Sequence, residues 1–316
     1  MKEGQNIMEK LLVFGHQNPD TDAITSAISF AYYLNQIGVE AEAVALGELS
    51  DETAYALNHF HTEAPRVIKT ASNEVKAVAL VDHNEFQQSV SDISSLEVQY
   101  VIDHHRIDNF HTANPVYYRA EPVGCTNTVI YKMFKEKGIE IPAELAGLML
   151  SAIISDTLLF KSPTCTDEDV VVAKALAKIA DVDPNEYGLA MLKAGTNLDD
   201  ISSEELLDLD AKSFPMGNKT VRVAQVNTVD FQDVLKRQEE LISLMAASNA
   251  AENYDLFVLL VTNIIDSDST IVAVGDGVSK AEAAFEVRLE NETAFLPGVV
   301  SRKKQVVPQL TEAYAK

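Results

Sequence analysis

The chain has 316 residues, 47% of them hydrophobic, and its 48 acidic side chains against 25 basic ones give a formal charge of −23. That balance excludes the basic footprint of a duplex nucleic-acid binder and repels an anionic membrane surface. The apolar content is too high for disorder, and no run approaches the roughly 18–20 apolar residues of a membrane span.

Two cysteines, Cys125 and Cys165, with no CxxC pair, exclude a disulfide framework or a thiolate zinc cage and predict a cytoplasmic protein. Met1–Lys10 lacks the apolar core of a secretory signal, and Met8 reads as an alternative start. Leu11–Gly15 is a strand candidate. Ala23–Ile37 reads as a helix, with Ile24, Ala27, Ile28, Ala31 and Leu34 on one stripe and Gly38 as its stop. Ala41–Leu46, Ala77–Val81 and Val98–Ile102 are further strands, and Cys125–Lys137, Pro142–Ile154 and Asp169–Ile179 are helices. Strands alternating with helices predict an α/β fold with a doubly wound, mostly parallel sheet.

The polar, aperiodic stretch Ala194–Glu204 reads as a linker. The expected organisation is therefore a first domain over 1–195, a flexible linker over 196–204 and a smaller C-terminal α/β domain over 205–316. That second domain should hold a strand at Thr220–Val226 and a long helix at about Asp230–Ala251. Strands at Leu256–Thr262 and Thr270–Val274 and a helix at Ser279–Glu290 follow. All seven histidines fall within the first 111 residues, and the one run of three basic residues, Arg302-Lys303-Lys304, lies near the C-terminus. Metal-type ligands in one domain and phosphate-type cations in the other predict a site in the cleft between them.

Five constellations carry the chemistry. His16-Gln17-Asn18-Pro19-Asp20-Thr21-Asp22 follows the first strand, at the carboxyl edge where α/β sheets place ligands. Imidazole with carboxylates suits Mn²⁺, Fe²⁺, Co²⁺ or Zn²⁺, although Asp20 or Asp22 could equally cap the next helix. Asp82-His83 and Asp103-His104-His105 end two more apolar strands of the same sheet. Neighbours on extended chain point to opposite sides, so one of His104 and His105 should ligate metal and the other should face substrate or support the site. Asp156 follows an apolar helix. Lys212 and the SRKK string at Ser301–Lys304 are candidate phosphate cations. His59, His61 and His111 read as surface histidines. Spacing alone supports a multi-carboxylate, multi-histidine metal site.

The motifs HQNPDTD, VDH, DHH and SRKK together resemble the DHH phosphoesterase superfamily, and more closely the family II, manganese-dependent inorganic pyrophosphatases. The resemblance runs from Leu11 to about Gln309. Oligoribonuclease-type members carry a GGGH motif, whereas this chain has no Gly-Gly pair, and its length leaves no room for the inserted nucleotide-binding module of regulatory members. The resemblance implies an N-terminal DHH domain and a C-terminal DHHA2-type domain. It implies one Mn²⁺ on His16 and Asp20, a second on Asp22, His104 and Asp156, and Asp82 bridging the two. It places His105 by the substrate, Lys212, Arg302 and Lys303 on the phosphates, and Lys304 in solvent. It further implies pyrophosphate hydrolysis by a hydroxide shared between the metals, with Mg²⁺ arriving on the substrate and Co²⁺ able to replace Mn²⁺. The two lobes would close over the substrate about Ala194–Glu204, and the chain would form a homodimer through the N-terminal domain. An exopolyphosphatase or a nucleotide phosphodiesterase on the same scaffold is the alternative. The absence of Trp and an aromatic content of 7% weigh against a base-stacking groove. A non-catalytic metal- or nucleotide-binding regulator would need an incomplete ligand set.

Overall fold

Leu11–Phe14 is apolar and buried at every position, and it forms β1, an inner strand of a parallel sheet. The computed structural model describes residues 10–196 and 198–316, so Met8 and the Met1–Ile7 extension lie outside the described residues. The chain divides into two units, Met1–Gly195 and Thr196–Lys316. No helix among the described residues is long and apolar enough to cross a membrane.

In the first unit β1 leads to α1 (Thr21–Gln36), β2 (Ala41–Ala43), α2 (Asp51–His59), β3 (Ala77–Val81), β4 (Glu97–Asp103) and β5 (Tyr117–Ala120). Helices α3 (Thr126–Lys137), α4 (Ala143–Thr157), α5 (Asp167–Ala180) and α6 (Pro184–Thr196) follow. All strand pairs are parallel, in the order β2-β1-β3-β4-β5. One sheet face presents Leu12, Phe14, Val78, Leu80, Val98 and Val101 to Val44, Ile68, Val90 and Ile93. Those partners belong to irregular segments and short 3-10 turns rather than to α-helices. Leu11 and Val13 bury the opposite face by strand alternation, while α1 packs on β1 and α3 on β4.

The expected strands and helices lie within a few residues of the observed ones, with informative exceptions. β2 is shorter than Ala41–Leu46, because Ala45 leaves the ladder to bridge Val67. The helix expected to end at Ile154 continues to Thr157, so Asp156 sits in the last turn of α4 rather than past it. α1 ends where Gly38 takes a φ of +85°, and α3 where Gly138 takes +66°.

The second unit holds α7 (Ser203–Asp208), β6 (Ala211–Met216), β7 (Lys219–Thr228), α8 (Gln232–Leu235), α9 (Gln238–Glu252) and β8 (Leu256–Asn263). β9 (Asp268–Val274), α10 (Val278–Phe285), β10 (Thr293–Leu296) and α11 (Val307–Ala315) complete it. Its sheet runs β10-β9-β8-β7-β6, with β7 and β8 parallel and the other pairs antiparallel. Central β8 is buried at all eight positions, because apolar clusters cover both faces of the sheet. The helix expected over Asp230–Ala251 is two helices, broken at Arg237, whose guanidinium donates to the carbonyls of Leu198 and Ile201. The helix expected to reach Glu290 stops at Phe285, where Glu286 turns left-handed with a φ of +55°. Within 194–204 the chain finishes α6, makes a 3-10 turn at Leu198–Asp200 and starts α7, which Ser202 and Glu205 cap reciprocally.

Candidate metal centre

The strand order places β1 beside β3, and the chain leaves these two strands in opposite directions across the sheet. Ligands of α/β sheets bind at such switch points, outside the carboxyl ends of the strands. The register then sets the residues. Phe14 pairs with Leu80 and Val81 with Ile102, so His16, Asp82 and the Asp103–His105 turn emerge side by side.

Each ligand candidate is aimed by local chemistry. After β1, Asn18 adopts a φ of +52° and Pro19 follows it, which folds the chain back into α1. Asp20 is the N-cap of α1: its Oδ1 accepts from the Ala23 amide at 2.9 Å, while Oδ2 stands 3.6 Å from His16 Nε2. Asp20 thus caps α1 with one oxygen and keeps the other close to His16. Asp82 takes a φ of +58°, a backbone conformation that aspartate tolerates better than most side chains, and it turns its buried carboxylate into the site. Its Oδ2 lies 3.4 Å from His16 Nε2, and its Oδ1 lies 3.4 Å from His104 Nε2 and 3.6 Å from His105 Nδ1. Asp156 Oδ2 stands 4.0 Å from His104 Nε2. Asp22, wholly buried, accepts from the Thr126 amide at 2.7 Å, Ser26 Oγ at 2.8 Å and Asn127 Nδ2 at 2.9 Å.

Outer contacts fix the imidazoles. His16 Nδ1 donates to the Gln17 carbonyl at 2.9 Å and His104 Nδ1 to the Val123 carbonyl at 3.0 Å, which leaves each Nε2 as the inward atom. Asp103 ends β4 fully buried. Its Oδ1 accepts from the amides of His104 and His105 and from His105 Nδ1, and its Oδ2 accepts from Asn84. His105 remains half exposed. His83 is buried beside Asp82: its Nδ1 donates to the Val81 carbonyl, its ring lies near Phe14, and burial pushes it down to about 4.

The electrostatics describe a pocket short of cations. Burial and the Asp82 charge push Asp22 up to about 6. Asp156 is raised well above the carboxylate range by burial and by Asp22, Asp82 and Asp20, and its buried Oδ2 has no hydrogen-bond partner among the described residues. Burial opposes charge on His16 and His104, yet the neighbouring carboxylates outweigh it and raise them to about 11 and about 9. Asp82 is held well below its usual range: burial opposes its ionisation, but His104 and His16 prevail. Among the described residues, three donor groups have atoms within 4.8 Å of one another: His16, Asp20 and Asp82; Asp82, His104 and His105; and Asp22, Cys125 and Asp156. Asp82 belongs to two of them. Carboxylates with imidazoles, and an orphaned carboxylate oxygen among them, fit hard-to-borderline divalent cations such as manganese.

The remaining candidates lie in the second unit. Lys212 is exposed on β6, and Lys303 and Lys304 are exposed in the turn before α11. Arg302 is 6% exposed; its guanidinium bonds the Asp210 carboxylate at 2.8 Å and the carbonyls of Asp210 and Val223. His59 stacks beside Tyr55 and Tyr187, and His111 beside Phe86, away from the donor groups. Asp103, which the sequence marks only as part of its strand-ending motif, supports the centre together with Asn84, Thr126 and Asn127, which were not singled out from the sequence. Nothing in the local sequence pattern marks the other three.

Fold and site together define a metal-dependent phosphoesterase of the DHH type. The DHH family N-terminal domain matches residues 10–153, and the DHHA2 domain matches residues 189–313. The chain is 67% identical over 307 residues to a protein of Enterococcus faecalis named "Probable manganese-dependent inorganic pyrophosphatase", covering 97% of this chain and all of that one. It is 60% identical over 308 residues to the "Manganese-dependent inorganic pyrophosphatase" of Bacillus subtilis, covering 98% of this chain and all of that one. A crystal structure from Methanococcus jannaschii, described as a "putative family II inorganic pyrophosphatase", superposes with a TM-score of 0.60 at 40% identity, over 97% of this chain and all of that one. The chain belongs to the family II, manganese-dependent inorganic pyrophosphatases, a group of hydrolases.

Proposed function

We propose that this chain hydrolyses inorganic pyrophosphate to two phosphates at a centre of two manganese ions. One observation carries the reading: Asp82 is shared by two donor groups, so two cations could lie side by side on one carboxylate. His16 and Asp20 complete one position. Asp22, His104 and Asp156 complete the other, where the unpartnered Asp156 oxygen finds its partner. The names of relatives 67% and 60% identical support manganese and pyrophosphate. Bound manganese supplies the Lewis acidity that activates water and the positive charge that lets an acidic pocket accept a highly charged anion.

The protein's own groups do the rest. The carbonyls of Gln17 and Val123 keep the protons of His16 and His104 on Nδ1 and leave Nε2 free to ligate. Asp103 holds His105 through Nδ1 and raises its pKa, so the imidazolium can donate from Nε2 to a phosphate oxygen. Lys212, Arg302 and Lys303 neutralise charge on the transferring and leaving phosphates, with phosphate competing against Asp210 for Arg302. Mg²⁺ accompanies the substrate and Co²⁺ can replace Mn²⁺. The chain acts in the cytoplasm as a homodimer paired through its N-terminal unit.

Phosphate release by metal-stripped protein reloaded with Mn²⁺ in the presence of Mg²⁺, beside a Mg²⁺-only control, tests this. Strong Mn²⁺-dependent turnover of pyrophosphate, with little on polyphosphate or oligonucleotides, is the expected result. Preferred turnover of polyphosphate or of an oligonucleotide would replace the reading with the exopolyphosphatase or the phosphodiesterase.

A further inference from the structure

Asp169 lies in the first turn of α5 with no exposed surface, and its carboxylate is satisfied entirely by neutral donors. Oδ2 accepts from the Thr166 amide at 2.8 Å and the Thr166 hydroxyl at 2.7 Å. Both go to the N-cap residue, and the amide bond is half of the capping box of the helix, the other half being the Asp169 amide donating to Thr166 Oγ1. The other two have nothing to do with ending α5. Oδ2 also accepts from the Gly124 amide at 2.8 Å, and Oδ1 accepts from Thr128 Oγ1 at 2.6 Å. Asp169 therefore grips both ends of the short segment that opens α3.

That segment touches three metal-facing residues at once. The Val123 carbonyl accepts from His104 Nδ1 at 3.0 Å. Thr126 donates its amide to Asp22 Oδ2 at 2.7 Å and its hydroxyl to Asp82 Oδ1 at 3.0 Å. Asn127 Nδ2 donates to Asp22 Oδ1 at 2.9 Å. A Cβ on Gly124 would stand 2.8 Å from Asp169 Oδ2 and 2.9 Å from Cγ2 of Thr157, the neighbour of Asp156. Only glycine permits this approach without displacing one of them. Among the described residues, no hydrogen bond from the segment reaches His16 or Asp20.

We propose that Asp169 is a positioning residue for the manganese centre. It fixes residues 123–128, the Gly124 amide it holds sharing one peptide plane with the Val123 carbonyl, as a template that orients His104, Asp22 and Asp82 together, while touching neither metal nor substrate. The inference rests on the metal-ligand reading above and makes it unequal across the two positions. Loss of Asp169 should weaken the Asp22–His104–Asp156 position and leave the His16–Asp20 side largely intact.

Titration of the metal-stripped full chain with Mn²⁺, followed by the EPR signal of free Mn²⁺, tests this with the wild type, Asp169→Ala and Asp169→Asn. Wild type should bind two ions. Asp169→Ala should keep one and lose affinity for the second by about 10–100-fold, the usual cost of removing an outer support of a metal ligand. Asp169→Asn should stay close to wild type, because its carbonyl can retain the three donors at Oδ2 while its amide donates to a reversed Thr128 hydroxyl. Asp169→Ala binding both ions as tightly as wild type would overturn the proposal. So would equal weakening of both positions with Asn no better than Ala, which is the signature of general destabilisation. If circular dichroism shows that Asp169→Ala does not fold, Thr128→Val removes the Oδ1 bond alone and must give the same selective loss. A wild type that binds no Mn²⁺ would instead overturn the metal reading itself.

Discussion

Asp82 Oδ2 stands 3.4 Å from His16 Nε2, and the contact is a direct product of strand register. Phe14 of β1 lies opposite Leu80 of β3, so the residues two steps beyond each are also neighbours. The same carboxylate meets His104 through its other oxygen at 3.4 Å. A site assembled in this way depends on one residue more than on any other.

Asp82→Asn should abolish both manganese positions. The change keeps the shape but removes the charge that both imidazoles face and puts a donor where an acceptor is needed. The loss in Mn²⁺ affinity should exceed the ~10–100-fold cost of losing an outer partner. Calorimetric titration of wild type and variant with Mn²⁺ checks this. Retention of one tight position would show that the carboxylate is not shared.

Manganese binding should strengthen as pH rises from about 6.5 to about 9. With no metal bound, His16 and His104 are raised from 6.5 to about 11 and about 9. Groups raised in this way stabilise the fold fully below pH 6.5 and lose that contribution as pH passes first about 9 and then about 11. Ligation must displace those protons, so apparent affinity should gain about tenfold per pH unit for each proton released. Mn²⁺ isotherms at pH 6.5, 7.5 and 8.5 measure it, and a flat profile would contradict the ligation of these imidazoles.

Lys303→Ala and Lys212→Ala should separate phosphate binding from metal binding. Each would remove a charge-assisted contact of the kind that contributes about 1.5–3 kcal/mol, equivalent to a loss of roughly 10–100-fold in kcat/KM for pyrophosphate. Mn²⁺ affinity should be unchanged, because both lysines lie in the second unit. Steady-state kinetics beside a Mn²⁺ titration checks the pair. Unaltered kinetics in both variants would remove them from the phosphate site.

Gly15→Ala should destabilise the first unit. Its Cβ would stand 2.5 Å from Ala23 Cβ and 2.6 Å from Ala23 Cα, so the join between β1 and α1 must shift. Overpacking of this kind costs about 1–3 kcal/mol. Thermal melts of metal-stripped protein should show a lowered Tm, and His16, the next residue, should lose part of its alignment with Asp82. An unchanged Tm would mean that the turn can relax freely.

Much of the candidate site was legible because its ligand candidates end an apolar strand or open the helix after it, with Asp156 in the last turn of α4 as the exception. Three apolar runs followed by Asp or His mark one sheet edge, whatever the details of packing. Edge strand β5 left no such mark, since Tyr117–Ala120 is polar and half-exposed, and neither did β6 and β10 in the second unit. The break at Arg237 follows from tertiary bonds to the carbonyls of Leu198 and Ile201, which no local pattern encodes. Thr126 and Asn127 were invisible for the same reason: a threonine and an asparagine at a helix start look like ordinary caps until Asp22 and Asp82 are seen to accept from them. The acidic cap at Asp20 shows the converse, with one side chain serving both a local and a long-range purpose.

The most direct test of a shared carboxylate is anomalous diffraction from crystals of the manganese-loaded protein, collected above the manganese edge. Two peaks per chain about 3.5–4 Å apart, with Asp82 touching both, are predicted. One peak, or two peaks of which Asp82 touches only one, would contradict the account.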